Sequence, residues 1–329
     1  GPGSDANSWQ PGHRQTHRMD LFRYPGFGPY NMYPKELLHQ LPPQQKLVYY
    51  NEITHWKYAQ HALVQMWPRA DRDGNLPPHW CNEILQRRPD QYLTQVFNRR
   101  SWFTSPRNYY RIFNDLLPYG VGDITHSDGY HDHFQQWIWQ RLLWAPRTPL
   151  DDIINEYCKT TFGPEATPLM AKALLLAEES IVEKPGTPLP EKTCVKECYD
   201  LVKQAGKLIP ENIMKIDWLW CMYMQKAALD RYTQLRVTQQ MELQKRIESA
   251  IASAMRDKTT SKAIDEALTW FGLKETDEMK SLYQEAKVAG EQSNVNFGVR
   301  NDGFFTLQHD FIGLGWLKRQ LERARDAKG

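Results

Sequence analysis

Hydrophobic positions along this chain follow two rhythms, and the change falls near Thr148. Before it, short apolar runs alternate with helix-like stretches and are punctuated by proline and glycine. Lys46–Glu52 (KLVYYNE) is the clearest strand signal, β-branched and aromatic, and preceded by Pro42-Pro43. Asp20–Tyr24, Tyr92–Asn98 (YLTQVFN) and Val121–His126 read as three more strands. Between and after them, 34–41, 55–66 and 133–144 read as helices. A further helix is expected from Ser105-Pro106 to about Leu117, with Ser105 capping free amides and Pro106 in the first turn. Four β–α units in succession predict parallel strands joined by crossover helices.

After Thr148 the apolar spacing becomes three and four, the period of a helix. Thr148-Pro149-Leu150-Asp151 looks like a helix start with an acid in its first turn, and Phe162-Gly163-Pro164 like its stop. Helices are expected near 165–183, 190–208, 211–256, 260–271, 275–290 and 310–326. The longest carries Ile213, Ile216, Leu219, Trp220, Tyr223, Met224 and Ala227 on one stripe. The expected fold class is therefore α/β followed by all-α: the carboxy-terminal part of a (β/α)8 TIM-type barrel over residues 5–148, then an α-helical bundle domain over 149–329. Residues 1–4 (GPGS) read as a tag remnant.

Half a barrel leaves open edges and an inner face bearing Val48, Tyr50, Val96 or Phe97 and Ile124, which water should not reach. Three things could complete it: a missing amino-terminal barrel half, a second copy of the chain, or the helical domain folded back. The missing half ranks first.

Composition narrows the function classes. The 329 residues are 41% hydrophobic and 24% charged, as in a globular protein, and the net charge of +2 offers no case for nucleic acid. No apolar run reaches the roughly 20 residues of a membrane span. The five Cys are scattered and odd in number, so neither a disulfide framework nor a zinc site is expected. Any signal peptide would have gone with the tag; the compartment stays undetermined, a secreted or periplasmic one being compatible. The excess is aromatic, with 12 Trp and 16 Tyr. Such rings fill cores, and they also stack on the apolar faces of sugars.

In β/α folds functional groups gather at the carboxyl ends of strands. Those positions hold Tyr24; Asn51, Glu52 and His55; Arg99, Arg100 and Trp102; Asp123, His126, Asp128, His131 and His133. Glu52 is the leading candidate for acid/base work, since a carboxylate at a strand end can meet a glycosidic oxygen. Hydrolysis usually needs two such groups, and Asp123 or Asp128 would be the second. The other residues are candidates for lining a sugar site. Arg99-Arg100 could hold a substrate carboxylate or pair with nearby acids. Thr125–Phe134 (THSDGYHDHF) packs three His and two Asp into one loop, which suits a polar sugar-binding segment. A metal site there ranks lower, because His131 and His133 are two apart and do not share a helix face. No metal or cofactor is expected.

With these residues laid out, the stretch Gly122–Ala166 resembles a known group. SDGYHDHFQQWIWQRLLWAP followed by LDDIINEYCKTTFGPEA is similar to the barrel end and first bundle helix of bacterial glycosidase-like proteins of unknown function. Those are distantly similar to family 67 alpha-glucuronidases and family 20 hexosaminidases. Leu142-Leu143-Trp144 with Pro146, Glu156-Tyr157 and Phe162-Gly163-Pro164 carry the likeness. It implies a barrel with a helical domain and action on glycans. It also implies acid/base carboxylates on central strands, some of which this chain lacks. The expected function is a glycoside hydrolase, or part of one, acting on a poly- or oligosaccharide. The alternative is a non-catalytic glycan-binding or scaffold module.

Overall fold

A computed structural model describes residues 47–52, 90, 92–93, 104–118, 120–126, 132–182, 186–256, 259–298 and 310–327. Most of them are helical. Two strands, β1 (Leu47–Glu52) and β2 (Gly120–His126), pair in parallel, with an irregularity between Leu47 and Val48. Helix α1 (Pro106–Leu116) precedes β2, and α2 (His133–Trp144) follows it. Then come α3 (Leu150–Phe162), α4 (Thr167–Ile181), α5 (Thr193–Gly206), the single turn α6 (Glu211–Met214) and α7 (Leu219–Arg256). Helices α8 (Thr260–Leu268), α9 (Asp277–Phe297) and α10 (Leu314–Asp326) complete the order.

The barrel expectation is overturned. Among the described residues there is one two-stranded parallel pair in a predominantly helical protein, not a part of a TIM barrel. The strands expected at 46–52 and 121–126 are present and parallel, but they enclose no interior: Val48, Val121 and Ile124 are 37%, 63% and 61% exposed. The strand expected at 92–98 fails where it begins. Asp90 Oδ1 accepts from the amides of Tyr92 at 3.0 Å and Leu93 at 3.2 Å, the geometry of a helix start, and Leu93 is helical and fully buried. At Tyr92 and Leu93 the local cap overrides the β-rich composition, and residues 94–98 lie outside the described residues. The remaining expected strand, 20–24, lies outside the described residues.

The helical expectations after Thr148 hold in outline. Helix α3 begins at Leu150 with Asp151 and Asp152 in its first turn, where they suit the dipole. It ends at Gly163, whose φ of 89° a side chain would strain. The expected 211–256 helix is divided: Asp217 accepts from the amides of Leu219 and Trp220 and starts α7 afresh. Its 38 residues make a rod of about 57 Å. The amino-terminal half of α7 lies in a large core with α3, α4, α5 and α9. That core continues across residue 148, taking in Tyr109, Phe113, Phe134, Ile138, Trp139 and Leu142. The far half of α7 meets α8 and α10 in a smaller cluster of Leu243, Ile247, Ile264, Ala267, Leu314 and Leu321. No helix among the described residues is long and apolar enough to cross a membrane.

Close packing sets one sharp requirement. At the end of α5, a Cβ on Gly206 would stand 2.2 Å from Cζ2 of Trp220, whose Nε1–H donates to the Val202 carbonyl at 3.0 Å. Gly206→Ala should therefore lower stability by about 1–3 kcal/mol through overpacking, outweighing alanine's helix-propensity gain of about 1 kcal/mol. Urea denaturation measures this; an unchanged midpoint would mean that the indole yields freely.

Candidate functional site

The parallel register brings two of the expected site residues together. Glu52 is in register with His126, and Asn51 with Thr125, at the carboxyl ends of both strands. Asp123 is paired instead with Tyr49, one position out of phase with His126 and Ile124, so alternation assigns it to the other face of the ribbon. There it has a structural partner: Trp139 Nε1–H donates to Asp123 Oδ2 at 2.6 Å. Trp139 is fully buried and stands edge-on to Phe113 at 5.1 Å, so the bond ties α2 to β2. Asp123 and Glu52 are thus not brought together. Tyr24, His55, Arg99, Arg100, Trp102, Asp128 and His131 lie outside the described residues.

His133 opens α2 at the end of the histidine-rich loop and is half-buried. Its Nδ1 lies 3.3 Å from the Tyr157 hydroxyl, and Tyr157 and Tyr223 share a hydrogen bond of 2.9 Å. The Trp218 ring stands edge-on to the imidazole at 5.9 Å, while Phe134 and Trp137 pack against Tyr157. Burial lowers the His133 pKa, because the cationic ring loses water. Burial likewise raises both tyrosines far above the range in which they ionise. The arrangement is a neutral polar chain running from a half-exposed imidazole into an aromatic core.

A second polar group lies deeper. Lys226 and Asp230, one turn apart on α7, are both buried and paired with each other. Beside them is a cavity of about 10 Å³ lined by Met170, Ala173, Leu174, Cys198 and Tyr223 among others. That is space for one water, far too little for a sugar ring. Desolvation raises the Asp230 pKa, opposed by the ammonium of Lys226. Lys192 and Asp90 make a further buried pair at 2.8 Å.

Sequence reasoning missed Tyr157, Tyr223, Trp218 and both buried pairs. The tyrosines give no local signal, since they lie 66 residues apart and meet only in the fold. Lys226 and Asp230 do give one: opposite charges at i and i+4 inside an apolar stretch of helix. Among the described residues, no three His, Cys, Asp or Glu side chains stand close enough to hold a metal. Set against models of protein families, curated proteins and solved structures, the chain matches none of them.

Proposed function

We propose that the chain recognises carbohydrate at the carboxyl ends of β1 and β2, with Glu52 and His126 in the site and His133 at the start of the helix that follows. The observation that supports this most is the register: Glu52 and His126 share one strand end. Val48 and Ile124, exposed on the same two strands, supply apolar surface of the kind a pyranose face packs on. The abundance of Trp and Tyr agrees with it. Glycan binding comes first in this reading, because Asp123 is engaged with Trp139 and is no free second carboxylate. Hydrolysis is the second reading, favoured by the placement of Glu52 at a strand end, with Asp128 as its partner acid.

Binding to an immobilised oligosaccharide panel, run beside turnover of aryl-glycosides, tests both. The wild type should bind at least one glycan class, and Glu52→Gln should weaken that binding roughly tenfold, the effect of losing one charged hydrogen bond. Turnover abolished by Glu52→Gln would select hydrolysis. A chain that binds nothing on the panel and turns nothing over refutes the proposal.

A further inference from the structure

His133 meets two aromatic neighbours, Tyr157 through a hydrogen bond and Trp218 through an edge-on ring contact. Only Nδ1 is used; among the described residues Nε2 has no hydrogen-bond partner. A histidine held by one nitrogen has its tautomer set by that bond, and the other nitrogen is left for chemistry. Behind Tyr157 lies a second hydroxyl, that of Tyr223. Both tyrosines are fully buried, and both keep their protons for that reason. The Tyr157 hydroxyl lies between the imidazole at 3.3 Å and the Tyr223 hydroxyl at 2.9 Å, and a chain in which Tyr223 donates to it leaves its proton for Nδ1.

We propose that Tyr157, backed by Tyr223, is the positioning residue of His133: its hydroxyl donates to Nδ1, holds the neutral ring as the Nε2–H tautomer, and makes Nε2–H a fixed donor for a ligand oxygen. The ligand class is a sugar hydroxyl or a uronate carboxylate, and this part rests on the carbohydrate reading given above. Preorganisation is the gain. A ring already locked in the donating tautomer loses no rotational or tautomeric freedom when the ligand arrives. The rigid wall of Phe134, Trp137 and Phe162 around Tyr157 keeps the hydroxyl where it is.

The test is nitrogen NMR on the full chain with labelled histidine, without ligand, at a pH where the ring is neutral. The His133 signals are assigned by their disappearance in His133→Gln. Nδ1 should resonate as an unprotonated nitrogen and Nε2 as a protonated one. In Tyr157→Phe the two should move toward each other as the tautomers mix, and in Tyr223→Phe they should move the same way by less. A wild type with Nδ1 protonated overturns the proposal, as does a Tyr157→Phe spectrum identical to it. Should Tyr157→Phe fail to fold, Tyr223→Phe decides: no movement of either nitrogen overturns the proposal. Any glycan bound by the wild type should bind Tyr157→Phe roughly three- to tenfold more weakly, the effect of one neutral hydrogen bond. Failure of every glycan to bind, with the tautomer fixed as described, refutes the carbohydrate reading and leaves the positioning of His133 by Tyr157 standing.

Discussion

Lys192→Met should cost about 3–5 kcal/mol of stability, the loss expected when one partner of a buried ion pair is removed. The Lys192 ammonium is enclosed and fully used: it donates to Asp90 Oδ2 at 2.8 Å, to the Ser180 carbonyl at 3.1 Å and to the Val182 carbonyl at 2.8 Å. Methionine fills similar space and supplies no donor, so a buried carboxylate and two carbonyls lose their partner together. Asp90 cannot recover by swinging to water, because its other oxygen holds the amides of Tyr92 and Leu93. The contact joins Asp90 to a residue 102 positions later, so its loss should also loosen the docking of the 90–93 segment on the helical body. Chemical denaturation of Lys192→Met, Asp90→Asn and the double variant measures the pair. The double variant should lose less than the sum of the singles by more than about 1 kcal/mol, since neither charge is then stranded. A Lys192→Met protein within about 1 kcal/mol of the wild type would show that the ammonium is not a structural centre.

Glu178→Leu should be comparably damaging, by about 3–5 kcal/mol, from two hydrogen bonds to a charged acceptor at roughly 1.5–3 kcal/mol each. The carboxylate of this buried residue accepts from the amides of Arg107 at 3.0 Å and Asn108 at 3.0 Å, the free N–H groups opening α1. It is an N-cap supplied by another helix, and the negative charge also suits the dipole of α1. Glu178→Gln retains one acceptor oxygen and should lose about half as much. Hydrogen exchange at Arg107 and Asn108 gives the local reading. Both amides should exchange faster in Glu178→Leu by a factor that the global loss of stability does not account for. Unchanged relative protection would mean that α1 is capped some other way.

Glu178 also shows where reading the chain by itself fell short. Ser105-Pro106 marked the start of α1 correctly, because proline at the first turn is a local rule. Ser105 is the local candidate for the cap, yet its side chain makes no cap bond and, among the described residues, its buried hydroxyl has no partner. The acceptor came from Glu178, a residue no local pattern connects to position 107. The start of the 92–98 segment, Tyr92 and Leu93, departs from expectation differently. Its composition favours a strand, whereas Asp90, two positions ahead of Tyr92, is a helix-start signal and prevails at Tyr92 and Leu93. Among the described residues only β1 and β2 pair, and they stand open to solvent at Val48 and Ile124, so four β–α units do not make a half barrel here.

What the sequence determined by itself was whatever depends on neighbours a few residues apart. The strands at 47–52 and 120–126, the helix at 133–144, the break at Gly163 and the helical run beyond it all follow from period, caps and proline or glycine placement. Tertiary structure alone decided how many strands join the sheet, that α1 is capped by Glu178, and that Asp123 serves Trp139 rather than Glu52. It alone decided that His133 meets Tyr157 and that Tyr157 meets Tyr223. The physical reason is the same in each case. A hydrogen bond or buried charge between residues tens of positions apart is set by which faces the core brings together, and that depends on the whole pattern of burial, not on local propensity.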